Sequence, residues 1–321
     1  MPNIPDSNYS NKPKWMFNEH IETIFPALFR KVRLKSPERI RIKTHDDDFL
    51  DIDHYAQKSN KCVVISHGLE GSSTRAYVKG MARAFFRAGW DVVAWNFRSC
   101  SGEMNHRPFF YHSGATYDLE TVLSHFARKY FNIALVGFSL GGNMTLKFLG
   151  EPASRNFPQI CGSVVFSVPL ELSSSSRKIS LPGNRVYANR FLRSLKRKIR
   201  LKAQKFPVEM NPIALNNIKT LQGFDDQYTG PLHGFRDAED YYHSCSSIHF
   251  LRNIQVPALI VNAANDPFLS EKCYPHSLTN ELEMVFLEVP DYGGHVGFYA
   301  RNKSRDYWSE IRAVAFLEPL T

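Results

Sequence analysis

Between residues 63 and 149, short uninterrupted apolar runs alternate with stretches of helical periodicity. Runs such as Val63-Val64-Ile65 and Ile133-Ala134-Leu135-Val136 show no polar alternation. Such strands are covered on both faces, as in a parallel sheet flanked by helices. The spacing predicts strands over 63–65, 91–97, 133–138 and 161–168, with helices over 73–88, 115–131 and 140–149 between them. The series resumes with strands over 258–263 and 284–289 and a last helix over 304–316. Ahead of it, the alternation of Ile40, Ile42, Leu50 and Ile52 predicts a β-hairpin over 39–55. Its turn, His45-Asp46-Asp47-Asp48, lacks the central glycine and terminal glutamate of a calcium loop and reads as a solvated turn. The rhythm breaks over 169–251, which is basic, then Pro/Asn-rich, then aromatic and acidic. The expected organisation is an N-terminal arm (1–38), a core (39–168 and 252–321) and a mostly helical cap (169–251) inserted between two strands.

A chain of 321 residues with 43% hydrophobic side chains has the apolar material for a sizeable core, which excludes disordered and collagen-like classes. Its five cysteines form no C-x-x-C pair, so neither a zinc knuckle nor a disulfide framework is expected. A reducing, cytoplasmic setting is the simpler expectation, since no signal-like or membrane-spanning apolar stretch is present. Of 40 basic residues, 11 fall between Arg177 and Lys205, where no acidic residue occurs. Nucleic acid is not expected as a partner, because no recognition motif accompanies that charge. The same segment carries Val186, Tyr187, Phe191, Leu192, Leu195 and Ile199 at nearly helical spacing. It reads as a cap helix packed through its apolar face, the alternative being a helix lying on an anionic bilayer.

Gly137-Phe138-Ser139-Leu140-Gly141 matches G-x-S-x-G, a pattern weak by itself and strengthened by its place between an apolar strand and an amphipathic helix. A serine on that tight turn holds its hydroxyl clear of the sheet; the bland alternative is a helix N-cap. A hydroxyl is a poor nucleophile near neutral pH and needs a base, itself oriented by a carboxylate. Asp266 follows the strand that contains Leu259-Ile260-Val261, and His295 follows the next strand. Both therefore fall at strand C-terminal ends, where an open α/β sheet builds its site. The chain order Ser139, Asp266, His295 is that of α/β-hydrolases, and α/β-hydrolase is the fold class expected here. An oxyanion hole needs backbone N–H donors, for which Leu140 and Leu69 are the candidates. Leu69 lies in Ser66-His67-Gly68-Leu69-Glu70-Gly71, which has no Gly-Lys-Ser/Thr and so is no phosphate loop. No metal or cofactor is expected. His67, Gly68, Arg98, Phe110 and Tyr111 are candidate substrate contacts, although His67 reads more readily as positioning its loop and Arg98 at least as readily as a structural residue. Asp118, at a helix start, reads as a favourable charge at the helix dipole. Cys100 has no base specified for it and is not a candidate nucleophile.

The sequence resembles the YheT-like group of α/β-hydrolases, which includes medium-chain phospholipases and alcohol acyltransferases. The resemblance spans nearly the whole chain through blocks 20–26 (His20-Ile21-Glu22-Thr23-Ile24-Phe25-Pro26), 67–71, 96–103, 111–114, 137–143, 224–226, 233–235, 240–242, 266–268 (Asp266-Pro267-Phe268) and 293–298 (Gly293-Gly294-His295-Val296-Gly297-Phe298). It implies Ser139 as nucleophile, Asp266 as orienting acid and His295 as base. Glu22 stands where the group usually has Gln, and Ser99 where it usually has Gly. The expected function is hydrolysis of aliphatic carboxylic esters, including lipid esters. Transfer of the acyl group to an alcohol is the alternative within the same chemistry, and a non-catalytic binding protein for anionic surfaces is the alternative outside it.

Overall fold

A computed structural model describes residues 3–4, 7–9 and 12–321. Its centre is one sheet of β1 (Asn3–Ile4), β2 (Glu38–Lys43), β3 (Phe49–Tyr55), β4 (Lys61–Ser66), β5 (Asp91–Trp95), β6 (Asn132–Phe138), β7 (Ile160–Phe166), β8 (Ala258–Val261) and β9 (Val285–Glu288). The strand order is β1-β9-β8-β7-β6-β4-β5-β3-β2. Only the pairings of β3, with β2 and with β5, are antiparallel. The helices that position the site are α1 (Glu19–Phe29), α2 (Ala76–Arg87), α3 (Thr116–Phe126), α4 (Leu140–Gly150), α5 (Leu172–Ile179), α6 (Arg185–Ala203), α7 (Ala238–Cys245) and α8 (Trp308–Leu317).

The period of two along a strand sends Val63 and Ile65 to one face and Cys62 and Val64 to the other. The first pair joins a core with Met81 and Phe85 of α2 and Ala313 and Leu317 of α8. The second joins a core with Leu119 and Leu123 of α3 and Met144 and Phe148 of α4. Helices thus cover both faces, which is why these strands read as continuous apolar runs. Between β7 and β8 the chain leaves the sheet and builds α5, α6 and α7. Tyr187, Leu192, Leu195 and Ile199 of α6 are buried in the molecule's own core. Those four residues of the stripe are therefore spent on packing, whereas Val186 stays exposed.

Two expectations are corrected by packing. The turn 45–48 is not a solvated turn as a whole: Asp47 is exposed, but Asp46 and Asp48 point inward onto Arg98. Arg98, a candidate substrate contact, is fully buried and binds Asp46 at 2.7 Å, Asp48 at 3.1 Å and Asp118 at 2.7 Å. It ties the hairpin to α3 and lines neither of the cavities described below. Burial pushes the Asp118 carboxyl above its ordinary value even with Arg98 beside it. Its role is consequently a buried ion pair as well as a charge in the first turn of α3.

α1 is absent from the expected elements because Pro26 sits inside it. Proline removes the bond to the carbonyl four residues earlier and normally breaks a helix. Here the helix begins on a firm cap, with Asn18 Oδ1 accepting from Ile21 N at 2.9 Å. It is further held by the contacts that its side chains make at the site.

Replacing Arg98 by methionine leaves buried carboxylates uncompensated, which costs about 3–5 kcal/mol for a broken buried pair. Urea unfolding of Arg98→Met should show that loss, and an unchanged midpoint would remove Arg98 as the tie between hairpin and helix.

Candidate active site

β6 ends at Phe138 and α4 begins at Leu140, so the chain reverses from strand to helix across one residue. Ser139 takes φ 52° and ψ −120°, a strained conformation for a side-chain-bearing residue. It is pinned by Ser139 N donating to Phe166 O at 2.9 Å and by its carbonyl accepting from Asn143 N at 3.0 Å. The flanking glycines are required by close approach. A Cβ on Gly141 would stand 2.3 Å from His67 O, and one on Gly137 would stand 2.6 Å from Gly141 O.

His295 Nε2 lies 3.0 Å from Ser139 Oγ. On the other side of the ring, Nδ1 lies 2.9 Å and 3.1 Å from the two oxygens of Asp266. Asp266 is buried, and its Oδ1 also accepts from Phe268 N at 2.9 Å. The imidazole packs against the Phe268 ring, 4.2 Å between centroids. The three side chains, taken from the ends of β6, β8 and β9, meet as one hydrogen-bonded line.

In the loop after β4, Gly68 N donates to Tyr77 OH, Glu70 N to Tyr111 OH and Gly71 N to Gly68 O. Leu69 N makes no such bond among the described residues, and Leu140 N belongs to the first turn of α4, where helix amides lack intrahelical acceptors. Leu69 and Leu140 both line the cavity that contains Ser139 and His295. His67 does not face that cavity. It is buried, with Nδ1 2.8 Å from Gly68 O and Nε2 accepting from Phe97 N at 3.1 Å. Burial pushes it down to about 3, so it is a neutral ring that shapes the loop and not a substrate contact. Cys100 is pushed up to about 11, chiefly by burial, and stays a thiol at neutral pH.

Two spaces share Leu69, Ser139, Phe191, Phe268 and His295. The inner one, about 850 Å³ including its opening, runs under the cap between Phe110, Tyr111, Leu172, Ile179, Leu195 and Leu221. It also reaches polar groups, where Tyr242 OH donates to Asp225 Oδ2 at 2.6 Å beside Ser176. The outer one, about 1480 Å³ with its mouth, is bounded by Gly68, Ile24, Leu28, Arg75, Val186 and Arg190. Gly68, Phe110 and Tyr111 thus border these spaces, whereas His67 and Arg98 do not.

The residues that sequence reading missed belong to α1. Glu22 is buried and accepts from Lys12 Nζ at 2.6 Å, Asn265 Nδ2 at 2.9 Å and Gly293 N at 2.8 Å. Asn265 Oδ1 accepts from Gly294 N at 3.0 Å, and Thr23 Oγ1 from His295 N at 2.9 Å. Ser167 Oγ accepts from Val296 N at 2.9 Å, holding a β-branched residue at φ 61°. Four consecutive amides around His295 are therefore fixed by side chains, and Asn265, the neighbour of Asp266, joins Gly294 N to Glu22. Three donors converge on Glu22, a demand that a carboxylate meets with acceptors alone. The departure at position 22 is thus built into the support of the triad loops. Ser99 adopts φ 62°, a backbone region that favours glycine, and its hydroxyl accepts from Asn105 N at 3.2 Å.

Asn265→Ala removes two of these bonds, each contributing about 1 kcal/mol. Phosphonylation of Ser139 by a fluorophosphonate should slow about tenfold, with the melting temperature falling by only a few degrees. Labelling at the wild-type rate would show that the loops hold their geometry without Asn265.

Residues 61–301 match the family described as the alpha/beta hydrolase fold. The Escherichia coli (strain K12) protein YheT, whose name assigns it provisionally as an esterase, is 35% identical over 88% of this chain and 84% of its own length. Phospholipase ABHD3 of Bos taurus is 26% identical over 88% of this chain and 72% of its own. The monoacylglycerol lipase of Saccharomyces cerevisiae is 26% identical over 94% of this chain and 67% of its own. Among solved structures, the Pyrococcus furiosus esterase Pf2001 superposes with a TM-score of 0.61 at 17% identity, over 90% of this chain and 96% of that one. With the family matched over most of its length and a relative this similar, the chain belongs to the YheT-like family of α/β-hydrolases.

Proposed function

We infer that the chain is a serine carboxylic-ester hydrolase acting on aliphatic acyl esters. The observation that carries this reading is the line Asp266–His295–Ser139, at 2.9 Å and 3.0 Å, opening onto an apolar cavity. Ser139 Oγ attacks the ester carbonyl as His295 Nε2 takes its proton. The carbonyl oxygen becomes an oxyanion held by Leu69 N–H and Leu140 N–H, which stand ready without reorganisation. As the tetrahedral carbon collapses, His295 passes the proton to the departing alkoxide and the acyl group stays on Ser139. Water then attacks the acyl-enzyme, loses a proton to His295, and the acid leaves as Oγ is reprotonated. Asp266 keeps Nδ1 protonated and steadies the imidazolium.

Two adjoining spaces support a reading in which each takes one end of the ester. The inner cavity, walled by Leu172, Ile179, Leu195 and Leu221, suits an acyl chain, and the larger outer cleft, rimmed by Arg75 and Arg190, suits the alcohol. The names of the relatives, a lipase, a phospholipase and an esterase, favour esters over peptides or glycosides. An alcohol seated in the outer cleft would compete with water for the acyl group, and added ethanol would then yield an ethyl ester.

Ser139→Ala should lower turnover of p-nitrophenyl esters by about 10⁴-fold or more and abolish fluorophosphonate labelling. Undiminished turnover would refute the assignment, and a wild-type protein that neither turns over nor labels would favour the non-catalytic reading.

Asp225, at the polar part of the inner cavity, is pushed up to about 6 by burial. Below that pH the group is neutral, and above it a charge faces the acyl chain. KM for longer acyl esters should therefore rise as pH passes upward through 6, and Asp225→Asn should flatten that rise. An unaltered KM profile in the variant would exclude contact between Asp225 and the chain.

A further inference from the structure

The basic stretch recognised in the sequence is only partly absorbed by packing. In α6, Lys198 binds Glu70 at 2.6 Å, Lys196 Nζ donates to Ile218 O at 2.6 Å, and Lys202 donates to the carbonyls of Asn105 and Arg107. The arginines behave differently. Arg185, Arg190, Arg193, Arg197 and Arg200 are all exposed, and none forms an ion pair among the described residues. The helix contains no acidic residue that could neutralise them. Positions 186, 190, 193, 197 and 200 follow alternating steps of four and three, so Val186 and four of the arginines share one ridge. At 1.5 Å per residue that ridge runs about 20 Å along the helix.

One end of the ridge is the mouth of the outer cleft, which Val186 and Arg190 help to line. Across the mouth stands α1, whose Ile24 and Leu28 line the same cleft. Leu28, the neighbouring Phe29 and Val186 are 66%, 65% and 71% exposed, an unusual display of large apolar side chains around one opening. On α1 Glu22 is buried and Glu19, close to His20, is the exposed carboxylate. Arg30 is already taken by Glu310. The face therefore joins an apolar rim to a row of unneutralised guanidinium groups, at the entrance that leads to Ser139.

We propose that this face docks the protein onto an anionic lipid surface, with α1 and Val186 dipping into the interface and the arginine ridge of α6 resting on lipid phosphates. Apolar side chains framed by arginines are the chemistry of interfacial attachment, and each basic group near an anionic surface adds favourable energy that salt screens. Single-stranded nucleic acid would use the arginines but would leave the apolar rim unexplained. The surface is a property separate from the ester chemistry, although docking there would let a lipid ester enter the outer cleft without crossing water.

The test is flotation of the full chain with vesicles of phosphatidylcholine alone or with about 30 mol% phosphatidylglycerol, at low salt and at about 0.5 M salt. The expected result is binding to the anionic vesicles only, lost at high salt. The triple variant Arg193→Gln, Arg197→Gln, Arg200→Gln should bind about tenfold or more weakly, and Phe29→Ser should weaken binding on its own. Neither alters the triad or the cleft walls, so turnover of a soluble short-chain ester should stay unchanged and report an intact fold. Repeating flotation with Ser139→Ala separates docking from catalysis, because that variant should float as the wild type does. Equal binding to neutral and anionic vesicles, wild-type binding by the triple variant, or tighter binding to single-stranded RNA than to vesicles would overturn the proposal.

Discussion

The structure turns on the approach of α4 to the end of β4. Gly141 passes so near the His67 and Ser66 carbonyls that a single added carbon would collide with both. That closeness sets the distance between two loops, one carrying Ser139 and Leu140 and the other carrying Leu69. Ser139, Leu140 and Leu69 border one cavity, and the close approach leaves no room for a side chain at Gly141. The strain at Ser139 is the accompanying cost, held by hydrogen bonds to Phe166 O and Asn143 N.

The base needs a different kind of support. His295 sits in a glycine-rich loop with Gly293 and Gly294 at positive φ and Val296 strained beside them. Such a segment has many unfolded conformations to lose, and its own backbone does not select the one that is found. α1 does the selecting from outside the sheet, through Glu22, Thr23 and the bridging Asn265. The N-terminal arm is therefore part of the site's architecture, although it contributes no group to the proton relay.

The cap divides its charges by depth. Its apolar side chains close the inner cavity, Lys198 pairs with the buried Glu70, and the arginines of α6 stay outside with no ion-pair partner among the described residues. Glu70 is itself held by Tyr111 and Ser194, so the loop that presents Leu69 is tied to the cap helix above it. Any movement of α6 would reach the Leu69 loop through that link.

Much of this was legible in the chain, and the limits have physical causes. Continuous apolar runs reveal buried parallel strands because burial on both faces leaves no room for alternation, and G-x-S-x-G names a turn that only small residues allow. The order Ser139, Asp266, His295 at strand ends follows from the same periodicities. Arg98, His67 and the turn 45–48 were not legible, since whether a polar side chain faces a cavity or a buried partner depends on residues 20 to 52 positions away. α1 was hidden by Pro26, whose local preference is overridden by long-range contacts. The sequence by itself determined the sheet, its helices and the strand ends that carry Ser139, Asp266 and His295, because short-range period and turn chemistry specify these. Tertiary structure alone decided which polar residues support the site and which arginines remain unpaired, because pairing is settled by what distant segments bring alongside.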